Sequence, residues 1–312
     1  MSNRNLFQAK NAKNDEFYTQ YSDISCELTE YVNYNRDLFR DKTILLPCDD
    51  YRFSNFTKYF IENFEKYGIR KLISTCYNNN SRGTMFVLER NNTRITDLYG
   101  NGDFRSDEIC GLRSEADFII TNPPFSLYRD FITWIFEEEK QFLVVGNKNS
   151  ITYKEIFPLI MQNKIWSGVS KWSGGMWFYT KNDFLELSNV ASTWFTNIEH
   201  GRRHEFLKLN TMEENVKYGA HKALRQYGYQ HYDNYNAIEV PYSDAIPSDY
   251  HGPMGVPITF LEKYNPDQFQ IIGASESEGK GFSNGLWNET SNVSQPMING
   301  KRVYKRFFIV SK

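Results

Sequence analysis

Four short apolar runs, alternating with segments of helical period, constrain this chain more than any other feature. The runs are TILLP at 43–47, RKLISTC at 70–76, DFIIT at 117–121 and QFLVVG at 141–146. Between the first two, Phe53, Phe56, Phe60 and Phe64 recur at helical spacing before Gly68, which predicts a helix with an aromatic core face. A second helix is expected over 127–136. Strands that alternate with helices in this way predict an α/β fold built on a mostly parallel, doubly wound sheet.

The remaining segments are less regular. Phe17, Tyr21, Ile24, Leu28 and Tyr31 predict a helix over 15–35, with Asp15 or Asn14 at its start. The stretch from NNNSRG to MFVLERNNTRI predicts an inserted hairpin or loop with turn chemistry at Asn91 and Asn92, and GNGDF at 100–104 a loop. Beyond about residue 165 the pattern changes. SKWSGGMWFYT and ASTWFTNIEH suggest antiparallel strands, and all five histidines fall between 200 and 251. The expected organisation is a flexible arm over 1–14, an α/β domain over 15–199 and a C-terminal region over 200–312.

With 40% hydrophobic residues the chain can bury a large core, and a net charge of −2 excludes a global basic field. Any nucleic-acid surface must therefore be local. Cys26, Cys48, Cys76 and Cys110 lie far apart with no CxxC pair, which argues against a zinc site or a disulfide framework and fits a reducing cytoplasm. No apolar run reaches membrane-spanning length, so no membrane partner is expected.

DFIIT runs straight into Asn122, Pro123, Pro124 and Phe125. Two prolines stop the strand abruptly, since proline lacks an N–H and fixes φ. A stiff turn then carries one amide and one flat ring at the carboxyl end of a strand, where open α/β sheets bind ligands. These residues suit group transfer to an exocyclic amine on a planar ring. The Asn122 side-chain oxygen and the Pro123 carbonyl can accept hydrogen bonds from an –NH₂ group, and Phe125 can stack on its ring. Such an amine becomes acidic only after it attacks, so no strong general base is required.

Three other stretches accompany this turn. The loop PCDDYRFSNF at 47–56 lacks GxGxxG. Its Asp49 and Asp50 either cap a helix or receive a cationic group, and a ligand with an amino-acid end and a sulfonium suits them better than a pyrophosphate. Asp103 and Phe104 can hold an adenine, by a carboxylate on its amine and a ring on its face. Phe17, Tyr18 and Thr19 are candidates to face the same ligand. His200 and His204 lack a third partner at metal-ligand spacing, so no metal is expected, and Arg202 and Arg203 open a basic patch that a solvated helix explains equally well.

Together NDEFYTQY, CDD with SNFTKYF, GDFRS, TNPPFSLYR, VGNKNSITYKE, NKIWSGV, YDNYNAIEV and MGVPITFLEKYNPDQF resemble the S-adenosylmethionine-dependent DNA adenine-N6 methyltransferases, specifically the EcoRI-type modification methylases. They run in one order over nearly the whole chain. The resemblance implies a Rossmann-like class I methyltransferase domain followed by a target-recognition region. It places Asn122, Pro123, Pro124 and Phe125 at the target adenine, and Asp103, Phe104 and Asn122 beside the cofactor. Pro47, Cys48, Asp49 and Asp50, with Phe17, Tyr18 and Thr19, would surround the methionine part, and Arg202 and Arg203 would contact DNA. It further implies a monomer acting on double-stranded DNA, GAATTC as its site, and a cognate restriction endonuclease acting separately. The first loop lacks the family's usual glycines, and the second strand ends in Thr75-Cys76-Tyr77 without the acid that usually binds the ribose. Methylation of RNA bases or of a protein glutamine uses a similar turn, and a catalytically idle DNA-binding decoy is the alternative outside enzymes.

Overall fold

The structure is a computed structural model that describes residues 17–172, 174–180, 183–275, 282–288 and 291–312. The expected arm over 1–14 and the helix start at Asn14 or Asp15 lie outside these residues, as does the Phe17 side chain. The chain divides into two compact units. One comprises the residues up to Lys148 with Ser167–His200, the other Asn149–Trp166 with Gly201–Lys312.

In the first unit the chain runs β1 (Phe17–Thr19), α1 (Tyr21–Tyr34), β2 (Thr43–Leu46), α2 (Asn55–Tyr67), β3 (Lys71–Cys76), β4 (Thr84–Glu89) and β5 (Asn92–Asp97). It continues through α3 (Asp107–Glu115), β6 (Phe118–Thr121), α4 (Tyr128–Phe136) and β7 (Gln141–Asn147). β8 (Trp166–Ser167) marks the return to this unit, and β9 (Met176–Thr180), β10 (Asp183–Val190) and β11 (Ser192–Thr196) complete it. The large sheet has eight strands in the order β5-β4-β3-β2-β6-β7-β11-β8. Its centre, β3-β2-β6-β7, is parallel, while β4 and β11 join antiparallel on either side. The stretch expected as an inserted hairpin or loop is therefore an edge of the main sheet.

Burial follows from strand period. Ile44, Leu46, Leu72, Phe118, Ile120, Leu143 and Val145 share a core cluster with Ile24, Leu28 and Tyr31 of α1 and Phe56, Phe60 and Phe64 of α2. The intervening Phe142, which the period of two turns to the other face, meets Phe136 of α4 with ring centres 5.8 Å apart. α2 begins where the Ser54 hydroxyl accepts from the amides of Phe56 and Thr57, and it stops at Gly68. Phe53 consequently precedes the helix and is 57% exposed, so the aromatic stripe starts at Phe56. The first helix is also shorter than its spacing predicts. Residues 17–19 are drawn into a three-stranded sheet, β1-β9-β10, in which Thr19 stands opposite Phe178.

The second unit contains α5 (Phe157–Met161), α6 (Met212–Tyr218), α7 (Lys222–Tyr227) and a four-stranded sheet. That sheet orders β12 (Ile238–Glu239), β13 (Met254–Pro257), β17 (Arg306–Ser311) and β14 (Phe269–Ala274). A separate hairpin pairs β15 (Met297–Ile298) with β16 (Lys301–Arg302). Buried Arg306 forms a two-pronged ion pair with Glu239, to which the Tyr232 hydroxyl also donates. No described helix is long and apolar enough to cross a membrane.

Candidate active site

Along the parallel strands the chain steps outward from β2 to β3 and then returns to place β6 on the other side of β2. That reversal is a topological switch point, where the loops leaving neighbouring strands diverge and open a crevice. The loop after β2 holds Pro47, Cys48, Asp49 and Asp50, and the turn after β6 holds Asn122, Pro123, Pro124 and Phe125. The two candidate stretches therefore flank the crevice.

Asp49 joins them directly. Its Oδ1 accepts from the Ser54 hydroxyl and its Oδ2 from the Thr121 hydroxyl, each at 2.6 Å. Its amide donates to Thr75 O at 2.9 Å, and its own carbonyl accepts from the Ser74 hydroxyl at 2.5 Å. One residue thus ties the first loop to the N-terminus of α2, to β3 and to the residue preceding Asn122. Burial pushes the Asp49 carboxyl up to about 6, against the lowering effect of the Ser54 and Thr121 hydroxyls, with a further rise from Asp50. The sequence leaves Asp49 either to cap a helix or to receive a cationic group; its carboxylate faces these hydroxyls and the residue is 7% exposed. Asp50 is more open, its oxygens accepting from the Arg52 amide at 3.0 Å and the Arg52 guanidinium at 2.9 and 2.6 Å.

Asp103 repeats that geometry. It accepts from the Arg105 amide at 2.9 Å and from the guanidinium at 2.9 and 2.7 Å, bonds that hold its carboxyl below the usual carboxylate range. Gly102 sets the loop, with φ 84° and a backbone so close to β3 that a Cβ would lie 2.4 Å from Cys76 O. Phe104, expected on an adenine face, is 4% exposed and enclosed by Phe131 and Trp134 at 5.1 and 5.6 Å. Asp103, half-buried, is thus the more open of the two and Phe104 its packed footing.

β1 comes to the same loops. Asn55 at the start of α2 donates to Thr19 O at 2.8 Å. The Thr19 hydroxyl is buried with no hydrogen-bond partner among the described residues, a donor and acceptor available to a bound group. Phe178, opposite Thr19 in β9, meets the Phe125 ring edge-on at 6.2 Å. Thr19, Phe178 and Phe125 therefore form one continuous wall. Thr121, Ser54, Asn55 and Phe178 escaped the sequence reading. Ser54 carried a legible signal as a helix cap, and Thr121 adjoined the turn, whereas the place of Phe178 depends on long-range pairing.

A family model described as "Adenine-specific methyltransferase EcoRI" matches residues 5–312. The chain belongs to the EcoRI methylase family. Type II methyltransferase M.EcoRI of Escherichia coli is 38% identical, with 100% of this chain and 97% of that protein covered. Type II methyltransferases M.MgeORF184P of Mycoplasma genitalium and M.MpnI of Mycoplasma pneumoniae are 34% and 32% identical, covering 97% and 84% of those proteins. No solved structure matches the chain significantly.

For this EcoRI-family chain, the arginines expected to contact DNA are both engaged within the second unit. Arg203 is 5% exposed, with its guanidinium 3.6 Å from the Trp166 ring centre and bonded to Asn163 at 2.5 Å. Arg202 pairs with Glu262 at 2.5 Å, both side chains mostly covered. Phosphate contact through either would first require these interactions to break. His200 lies in the first unit, 3% exposed, with Nε2 3.0 Å from Ser167 O and its ring edge-on to Tyr31. His204 belongs to the second unit, 3.5 Å from Asp267.

Proposed function

We propose that this chain is a site-specific DNA adenine-N6 methyltransferase using S-adenosylmethionine. The observation that carries the reading is the Asp49–Thr121 bond across the switch point, which couples the candidate cofactor loop to the Asn122–Phe125 turn in a chain of the EcoRI family. The parallel β3-β2-β6-β7 centre, with α1 and α2 packed on one set of alternate residues and α4 meeting the other, supports a Rossmann-like doubly wound domain.

In this reading the target adenine is flipped from the duplex, because its amine is otherwise buried in the stack. The Asn122 side-chain oxygen and the Pro123 carbonyl accept from that amine and draw electron density onto nitrogen. Phe125, backed by Phe178, stacks on the base. Asp103 accepts from the cofactor's adenine amine. The unpartnered Thr19 hydroxyl, the half-buried Tyr18 and the Pro47–Asp50 loop fit the amino-acid end. When bound, S-adenosylmethionine supplies a methyl on a sulfonium: the S–C bond breaks as the N–C bond forms, leaving a thioether, and the amine proton departs to water.

The relatives' Type II names support membership of a restriction–modification pair, with GAATTC as the proposed site and a separate endonuclease cutting unmodified DNA. Residues 200–312 are assigned to target recognition, and the enzyme is proposed to act as a cytoplasmic monomer. Sequencing of modified bases in DNA from expressing cells tests this directly. N6-methyladenine at one motif, lost on Asn122→Ala, is expected. Unmodified adenine with wild-type protein that binds S-adenosylmethionine and DNA would overturn it, and methylation only of RNA or protein would redirect it.

A further inference from the structure

The second unit contains a small element whose construction its fold alone does not explain. β15 and β16 pair Met297 with Arg302 and Ile298 with Lys301 across a two-residue turn, Asn299-Gly300. Both turn residues have positive φ, 49° and 72°, the geometry whose twist matches a tight antiparallel hairpin. So short a ribbon is marginal by itself. Here a dedicated set of polar contacts holds it. Asp233 accepts from the amides of Asn299 at 3.1 Å and Gly300 at 2.8 Å. Asn234, 2% exposed, accepts from the Met297 amide at 2.9 Å and donates to the carbonyls of Val293 and Gln295. The Tyr235 hydroxyl donates to Ser294 O. Gln295 spans the base of the ribbon to Val303 O at 2.8 Å. Three consecutive residues of the YDNYN tract thus serve to hold one hairpin.

What the hairpin presents is cationic. Asn299, Gly300, Lys301 and Arg302 are exposed, and neither Lys301 nor Arg302 forms an ion pair with a described residue. Tyr304, just beyond, is 57% exposed. From Ser291 to the end the sequence carries Lys301, Arg302, Lys305, Arg306 and Lys312 and no acid, in a chain of net charge −2. The carboxylate under the turn, Asp233, accepts from two backbone amides. Neighbouring residues in a strand point to opposite faces, so Lys301 and Arg302 project on the two sides of the ribbon. A rigid two-stranded ribbon with a cation on each face fits the major groove of B-DNA, which admits either a helix or such a ribbon.

We propose that the Met297–Arg302 hairpin is a DNA-contacting ribbon, with Lys301 and Arg302 as its phosphate or base-edge contacts. The proposal rests on the reading of this chain as a DNA methyltransferase. It supplies the recognition region with cations that are open, which Arg202 and Arg203 are not.

The test is binding of a labelled GAATTC duplex and a scrambled duplex over a range of salt concentrations. Wild type is compared with Lys301→Ala/Arg302→Ala and with a control, Arg36→Ala/Lys66→Ala. The control removes two exposed charges at the C-terminal ends of α1 and α2, on the amino-end side of the first unit's parallel strands. The hairpin variant should lose about 0.9 in log–log salt slope for each phosphate contact removed. If one cation reads a base edge, preference for GAATTC over the scrambled duplex should fall about 5- to 150-fold instead. The control should change neither, and S-adenosylmethionine affinity should be unaltered in both. Exchanging the two as Lys301→Arg/Arg302→Lys keeps the charge and should keep the salt slope, which separates a contact from a folding effect. Unchanged slope and unchanged preference in the alanine variant refute the hairpin while leaving the methyltransferase reading intact. A wild-type protein that binds no duplex, or prefers RNA, refutes both.

Discussion

Replacing Asp49 by Asn should change the pH dependence of stability in a direction opposite to that of an ordinary salt-bridged carboxylate. Asp49 is 7% exposed, and burial raises its carboxyl from 3.8 to about 6. The folded protein therefore binds more protons than the unfolded chain between these values. The contribution is fully present below the unfolded pKa and is lost as pH rises through about 6. A shift of roughly two units corresponds to about 3 kcal/mol over the whole window. Between about pH 4.5 and 7.5 the wild type should lose about 2 kcal/mol relative to Asp49→Asn, whose amide does not ionise. The amide Nδ2 cannot accept the hydroxyl proton that the carboxylate received. One of Ser54 and Thr121 must therefore rotate, at a cost of about 1 kcal/mol at all pH values. Urea unfolding of both proteins across this range gives the difference directly, since other titrating groups cancel. The variant should be the less stable at acid pH, by about 1 kcal/mol at most, and the order should reverse near about pH 5 to 6, so that above neutrality the variant is the more stable. Parallel stability curves would refute the view that Asp49 is desolvated between the loop and β6.

Asn122→Ala should lower methyl transfer about 10²- to 10³-fold while calorimetry still detects S-adenosylmethionine and duplex binding; near-normal turnover would remove Asn122 from the chemistry. Asp103→Ala should weaken cofactor binding far more than DNA binding, because a hydrogen bond to a charged acceptor is lost at about 1.5–3 kcal/mol, and unchanged affinity would leave Asp103 a role only in the Arg105 turn. Phe125→Ala should cost about 1–3 kcal/mol in holding the flipped base, read by 2-aminopurine fluorescence at the target, with Phe125→Tyr much milder. Arg203→Ala should lower stability by about 2 kcal/mol, through loss of a covered cation–π contact, and leave the salt slope of DNA binding unchanged; a flattened slope with normal stability would restore Arg203 as a phosphate contact.

Much of the central sheet is legible in the sequence. The runs at 43–47, 70–76, 117–121 and 141–146 form β2, β3, β6 and β7 because each is apolar on both faces, as a strand covered from two sides must be. The turn at Asn122 is legible because proline acts locally, through its own φ and its missing donor. Expectation and fold part where a distant segment decides the outcome. Phe17 and Tyr21 have helical spacing, yet residues 17–19 extend because β9, some 160 positions later, supplies their hydrogen-bond partners. Phe53 continues the aromatic stripe by number, but the Ser54 cap starts the helix after it.

The sequence by itself determined the central strands and the helices between them, the stiff turn at Asn122 and the family to which the chain belongs, because periodicity, proline chemistry and ordered motifs are properties of the chain read in one dimension. Only the tertiary structure decided which charges are available. Asp49, Asp103, Arg203 and Lys301 look alike as isolated ionisable residues in the sequence. Folding buries the first between two hydroxyls, pairs the second with the arginine two positions on, stacks the third on Trp166 and leaves the fourth on an open ribbon. Solvation and partner geometry set what a charge can do, and both arise from segments brought together across the whole length of the chain.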